Sequence, residues 1–421
     1  MSAASLTEPH ILAHTKRHLF GDAERGYSVC DTQFAQLEWL AGEEIPSHVR
    51  DDLAPFNHVE VGGGYPDLVG VHPLSDSYLS SKPTASEPPL VAIEAKGRTQ
   101  SGGVAIEKGL QQAYSYLQEA NTAFLAVPAE SISHDIHTAA RELNVGVLGV
   151  SSDGSLTPIE TPRVVGNRTS DEASAIRFQA TAQGVANKSF SLNHPKNYLG
   201  YPLAIYHPDS TEEMLSEYVV GDVSGARKGA TFLGLIEETP TGDQLTPLGR
   251  EVIRFSHSRY DDVAAALETF SDWHRSRQRF YDLAPEWGLV ARRVMWSYPA
   301  TQVLVEGLQS LHAAGTTTPS LVDLVTELHE SKPTFTVELF IRGTDNARSE
   351  VLTDDGVLQK AALATGDHYH APTVFQLKTM LYHAGFLTES GTEPNKLNPA
   401  TDTWELREPL ENLPTAVASN N

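Results

Sequence analysis

Two short apolar runs with charged residues inside them constrain this chain more than any other feature: Tyr65-Pro66-Asp67-Leu68-Val69-Gly70-Val71 and Leu90-Val91-Ala92-Ile93-Glu94-Ala95-Lys96-Gly97. Both are crowded with β-branched and aliphatic residues and read as short strands. A strand of that kind is ordinarily apolar, yet these two carry Asp67, Glu94 and Lys96. Glu94 and Lys96 lie two residues apart, so a strand turns them to the same face. Between the runs, Ser75 to Pro89 is rich in Ser and Pro and reads as a surface loop in the hairpin joining the strands.

The downstream pattern extends this into an architecture. Gly109 to Leu117 reads as the start of a helix, with Gln112 and Tyr116 at i, i+4 on one face. Ala123 to Pro128 and Val145 to Val150 are two further apolar strands, separated by a helix from about Ser133 to Leu143. The order strand, strand, helix, strand, helix, strand predicts an α/β (α+β) core: a mixed sheet flanked by helices.

The charged residues suggest a chemistry. Two carboxylates hold a hard divalent cation through oxygen, and such a cation acidifies water. An ammonium beside them orients that water or neutralises charge growing on a phosphate. Alone, an acid in a strand is more often a solvated face, and a Glu-x-Lys pair on an edge strand commonly guards against aggregation. The full ordered set, Asp67, Glu94, Lys96, Gln112 and Tyr116, carries the reading.

Pro66-Asp67, then Glu94-Ala95-Lys96, then Gln112-x-x-x-Tyr116 resembles the RecB-like branch of the PD-(D/E)XK nuclease superfamily. The resemblance covers roughly residues 1 to 160 and implies a restriction-endonuclease-like core. It implies Mg2+ (or Mn2+) held by Asp67, Glu94 and the backbone carbonyl of Ala95. Lys96 would orient the attacking water, and Gln112 and Tyr116 would set the geometry and contact the strand. Members often add one acid from the first helix. Glu8 to Phe20 is a helix candidate with Thr7 at the N-cap and Pro9 just inside. Glu8 is either that extra ligand or an ordinary first-turn acid favoured by the helix dipole. Glu60, ahead of Gly62-Gly63-Gly64, is a weaker candidate for the same role.

With 421 residues, the chain predicts two to four domains. An apolar content of 40% supports globular cores. No apolar run reaches transmembrane length and no signal-peptide layout opens the chain, so a cytoplasmic location is expected. The single cysteine, Cys30, excludes an intramolecular disulfide and argues against a cysteine-rich zinc or iron–sulfur site. No cluster of the histidines has convincing metal spacing. The net charge of -23 is unusual for a protein that binds nucleic acid. Acid excess with scarce lysine resembles the proteins of salt-in halophilic archaea. In molar salt the Debye length falls to about 3 Å, which screens the repulsion.

Residues 161–175 read as a linker, 176–257 as a winged-helix-like domain, 258–412 as a helical region ending in a second such domain, and 413–421 as a disordered tail. In the first copy Ala226 to Ile236 forms a helix closing on a glycine, Leu235 and Leu245 pair on a small hairpin, and Thr246 caps the next helix. Helix, Gly-Leu-Ile, acidic turn and Leu-Thr-x-x-Gly are similar to the wing of winged helix-turn-helix domains. The second copy runs from Thr373 through Gly385 to Leu406. Arg227 and Lys228, and the exposed Gln376 and Lys378, are the candidate nucleic-acid contacts.

The leading expectation is a Mg-dependent DNA endonuclease of restriction, defence or repair, acting on duplex DNA and reasonably a dimer. Without a Walker loop, any ATP-driven step needs a partner ATPase. The alternatives are a DNA-binding regulator with a non-catalytic nuclease-like scaffold, or a nuclease acting on RNA or single strands.

Overall fold

The computed structural model describes residues 6–21, 26–39, 43–80, 88–99, 103–166, 170–186, 190–239, 241–273, 278–343 and 347–408. The expected tail at 413–421 lies outside them. The chain forms two compact units. The first comprises Met1–Gly184, Lys332–Leu363 and Asp367–Tyr369; the second comprises Val185–Ser331, Ala364–Gly366 and His370–Asn421. The region expected as one block, 258–412, is therefore shared between the two.

The first unit is built on a six-stranded mixed sheet. Its strands are β1 (Tyr27–Cys30), β2 (Leu68–Val71), β3 (Leu90–Ala95), β4 (Thr122–Pro128), β5 (Gly146–Val150) and β6 (Leu156–Glu160), and they stand side by side in chain order. β1, β2 and β3 pair antiparallel, β3 to β4 and β4 to β5 pair parallel, and β6 returns antiparallel. Each parallel step needs a crossover, which the helices between those strands supply.

Four helices precede or link these strands: α1 (Glu8–Phe20), α2 (Ser47–Leu53), α3 (Ile106–Tyr116) and α4 (His134–Leu143). Strand alternation sorts the core into two layers. Leu68, Val91, Ile93, Phe124 and Leu148 face α1, whose Ile11, Leu12 and Leu19 pack against them. Val69, Ala92, Leu125 and Val147 face the other way, against Ile106, Leu110 and Ala113 of α3 and Ile136 and Ala140 of α4. Each such side chain contributes about 1.5–3 kcal/mol when fully buried. α4 is closed at both ends: Ser133 accepts from the Ile136 N–H at 3.3 Å, and Asn144 turns left-handed at φ 58°.

β1 and β6 were not expected. β6 ends immediately before residues 161–175, which read as a linker. Exposed Thr157 and Ile159 alternate with half-buried Leu156, Pro158 and Glu160, as on an edge strand with one wet face. The linker also gives way to a helix, Asp171–Ala186.

The chain returns to the first unit late. Within Pro333–Phe340 the carboxylate of Glu338 is fully buried and accepts from Arg348 Nη1 at 2.8 Å and Nη2 at 3.1 Å. Asn57 Nδ2 donates to it at 2.9 Å, and the Tyr27 hydroxyl donates to its second oxygen. A buried ion pair needs such partners to offset desolvation.

In the second unit, helices Pro195–Tyr206 and Val223–Phe232 precede a two-stranded hairpin, Ile236–Thr239 with Gly242–Leu245, and helix Pro247–Arg259 follows it. Thr246 caps that last helix, accepting from the Gly249 N–H at 3.1 Å. Leu245 pairs with Ile236, one residue beyond the expected Leu235. Near the C-terminus, helix Ala371–His383 ends before Gly385 at φ 78°, and isolated bridges join Leu387 to Leu406 and Ser320 to Thr403. Among the described residues, no helix is long and apolar enough to cross a membrane.

Candidate active site

The sheet register brings the charged residues together. Leu68 of β2 stands opposite Ile93 of β3, so Asp67 and Glu94 fall at the next position along the antiparallel pair. Both point to the α3 face, because Asp67 shares parity with Val69 and Glu94 with Ala92. Asp67 is 3% exposed and Glu94 1%. The Ala95 N–H donates to Asp67 Oδ2 at 2.7 Å, and Gln33 Nε2 donates to Oδ1 at 3.1 Å.

Lys96 follows on the same face. Its ammonium donates to Glu94 Oε1 at 2.5 Å and to the Ala95 carbonyl at 3.0 Å, and stands 3.6 Å from Glu8 Oε1. Gly109 makes room for it: a Cβ there would meet Lys96 Cγ at 2.8 Å. Glu8 arrives by a second close approach. At Gly97 a Cβ would sit 2.1 Å from the Glu8 backbone nitrogen, so only glycine lets the end of β3 pass the start of α1. Thr7 holds the N-cap backbone position, but its hydroxyl bonds His10 Nδ1 at 2.7 Å.

Tyr116, the last residue of α3, donates to Glu94 Oε2 at 2.5 Å. Gln112, one turn earlier, is half-buried, and its Oε1 has no hydrogen-bond partner among the described residues. The exposed Glu60 does not take the place of Glu8 as third acid.

These groups perturb one another. Burial, then the charges of Glu94 and Glu8, holds the Asp67 carboxyl well above the ordinary carboxylate range. Burial also raises Glu8, with Lys96 opposing and Glu94 adding to the effect. For Lys96, burial works against the charge, but Asp67, Glu94 and Glu8 outweigh it and push the ammonium upward. Lys96 therefore stays charged and serves as a cation, not as a proton acceptor. Burial and then Glu94 raise the Tyr116 phenol, which keeps its proton and remains a donor.

The donor set fits a hard divalent ion. Asp67, Glu94, Glu8 and the Ala95 carbonyl offer only oxygen. Three carboxylates around the Lys96 ammonium leave an excess of two negative charges when ionised, which a divalent cation balances. Among the described residues, no three His, Cys, Asp or Glu side chains enclose an ion by themselves. Mg2+ asks for less, since one or two carboxylates with water and a substrate phosphate complete its shell.

No family model, curated protein or solved structure matches the chain.

The candidate nucleic-acid contacts are placed less favourably. Arg227 forms a bidentate pair with Asp243 at 2.6 and 2.7 Å, tying its helix to the hairpin, and Tyr201 joins the same carboxylate at 2.9 Å. Lys228 is exposed. Lys378, expected on the surface, is 2% exposed and donates to Asp402 at 2.9 Å. Its helix is buried around most of its circumference, which turns that lysine inward. Gln376 is half-buried, and its Oε1 has no partner among the described residues.

Gln33 escaped the sequence reading. Asp31-Thr32-Gln33 signals only a capped turn, and the Asp31 side chain does accept from the Gln33 N–H at 3.1 Å.

Proposed function

We propose that this chain is a metal-dependent endonuclease that hydrolyses DNA phosphodiester bonds. The observation that supports it most is the convergence of Asp67, Glu94, Glu8 and Lys96, with Tyr116 bonded to Glu94. Asp67, Glu94 and the Ala95 carbonyl would hold Mg2+ or Mn2+, with Glu8 as the added acid. Once bound, the ion would supply Lewis-acid polarisation of the phosphate and a more acidic water.

The chain's own groups do the rest. Lys96, held charged by its acids, offsets negative charge on the phosphoryl oxygens and orients the water for in-line attack. Tyr116 fixes Glu94 in one rotamer through Oε2. The Ala95 N–H and Gln33 fix Asp67. As water oxygen bonds to phosphorus, the bond to the leaving sugar oxygen breaks, giving a 5′-phosphate and a 3′-hydroxyl. Such an activity would serve defence against foreign DNA or repair.

The test is cleavage of plasmid, linear duplex and single-stranded DNA in high KCl, with and without Mg2+ or Mn2+. Wild type is compared with Lys96→Ala and Asp67→Ala. Metal-dependent cutting that both variants lose supports the reading. Cutting that persists in either variant, or none by wild type in any metal, sinks it.

A further inference from the structure

Beside the acids lies a cleft of about 360 Å3 within the first unit. Its wall adjoins the site directly, because Gln33, which lines it, donates to Asp67 at 3.1 Å. That size suits a small planar ligand. Its lining includes no Lys or Arg, so a phosphate finds no counter-charge there.

What the lining offers is a stacking surface and carboxylate acceptors. Tyr65 lies on the ring of His58, with centroids 3.9 Å apart and planes 13° apart, and remains 46% exposed. His58 is fixed from below, since its Nδ1 donates to the buried Asp31 at 2.8 Å. The acceptors are Asp354 and Asp355, both exposed on a tight turn closed by Thr353 N–H to Val357 O at 2.9 Å. The Thr32 hydroxyl pins that turn through the Asp354 carbonyl at 2.7 Å. Trp39 also lines the cleft; it is 9% exposed, and its indole N–H has no partner among the described residues.

We propose that this cleft binds an unpaired DNA base and reads its amine-bearing edge. Resting on the nuclease reading of the adjacent acids, the proposal places the base on Tyr65 while its phosphate lies at Lys96. Cytosine and adenine present an amine donor on that edge, which the carboxylates of Asp354 and Asp355 accept. Thymine puts an oxygen where those bases put the amine, and faces Asp354 and Asp355 with repulsion. Stacking on an aromatic ring is tolerant of base identity, so the carboxylates supply the discrimination. The substrate class is then DNA with an unpaired stretch at the cut site.

The experiment measures binding of labelled oligo(dC) and oligo(dT) to the full chain by fluorescence anisotropy in EDTA. Cleavage of the same oligonucleotides with Mg2+ is measured separately. Wild type should bind oligo(dC) about tenfold more tightly than oligo(dT). The double variant Asp354→Ala/Asp355→Ala should bring that ratio towards one, and Tyr65→Ala should weaken both oligonucleotides. Equal affinities in wild type, or an unchanged ratio in the double variant, overturn the proposal. Cleavage without base preference leaves the nuclease standing and removes the base pocket. A dC preference without cleavage does the reverse.

Discussion

Tyr116 closes α3 by donating its phenolic hydrogen to Glu94 Oε2 at 2.5 Å, while Lys96 holds Oε1 of the same carboxylate at 2.5 Å. Both oxygens of Glu94 are thus committed, one to a neutral donor and one to a cation. Removing the phenol frees an acid that a bound ion would need fixed. On the proposed nuclease reading, Tyr116→Phe should therefore lower the metal-dependent cleavage rate about 10- to 100-fold, the usual cost of losing an orienting partner. A Tyr116→Phe variant cutting at the wild-type rate would show that the bond is only structural.

Gly97 makes a sharper structural prediction. Its added methyl would meet the Glu8 nitrogen at 2.1 Å and the Thr7 carbonyl carbon at 2.4 Å. Gly97→Ala should cost about 1–3 kcal/mol of stability as α1 is pushed from the sheet. Gly103→Ala, whose nearest neighbour would be 3.9 Å away, is the control and should leave Tm unchanged. Equal Tm values for both variants would contradict the close approach.

The pH dependence follows from Asp67. Burial, with the charges of Glu94 and Glu8, raises its pKa in the fold, so the folded chain holds a proton that the unfolded chain has released. Stability of the metal-free protein from this group is then greatest below the ordinary carboxylate pKa of about 4 and is lost as pH rises through the elevated value. A divalent cation needs the ionised acids and competes with that proton. Mg2+ should therefore raise Tm more at about pH 8 than at about pH 5, and Asp67→Asn should remove the difference. Differential scanning fluorimetry reads this directly; an Mg2+ shift independent of pH rejects it.

Glu338 and Arg348 form a fully buried pair that carries the late return of the chain. Breaking one partner leaves an uncompensated charge, so Arg348→Ala should cost about 3–5 kcal/mol in denaturant unfolding. A fragment ending at residue 184 should likewise fail to fold cooperatively, because it lacks both residues. A loss below about 1 kcal/mol in Arg348→Ala would mean water reaches the carboxylate.

Arg227 and Lys228 should separate in their effects. Arg227→Ala removes the bidentate tie to Asp243 and should lower stability by roughly 1 kcal/mol. Lys228→Ala should leave Tm unchanged and, where it touches phosphate, reduce the salt slope of DNA binding by about 1. A loss of Tm in Lys228→Ala and not in Arg227→Ala would reverse these assignments.

Much of the site was legible because it depends on local periodicity. Strand parity puts Glu94 and Lys96 on one face and helix spacing carries Gln112 and Tyr116 together; the structure keeps Gln112 and Tyr116 on α3 and Glu94 on β3, with Lys96 one residue past the strand's end. Glu8 was legible only as an alternative, since its arrival depends on Gly97 passing α1, a contact between segments far apart in sequence. Gln33 and the turn at Asp354 and Asp355 were not legible. Nothing local marks them, and their position depends on β1 and on the return of residues 332–363. Lys378 misled for the opposite reason: a lysine in an amphipathic pattern implies a wet face, but Asp402 and Trp404 satisfy its charge inside.

The late return also orders events during synthesis. Asp67, Glu94 and Lys96 leave the ribosome long before Glu338 and Arg348 exist to fill the space beside Tyr27 and Asn57. A prematurely terminated or proteolysed chain would hold every acid of the site and still lack part of its core. The unit that carries these acids is complete only once residues 332–363 have been made.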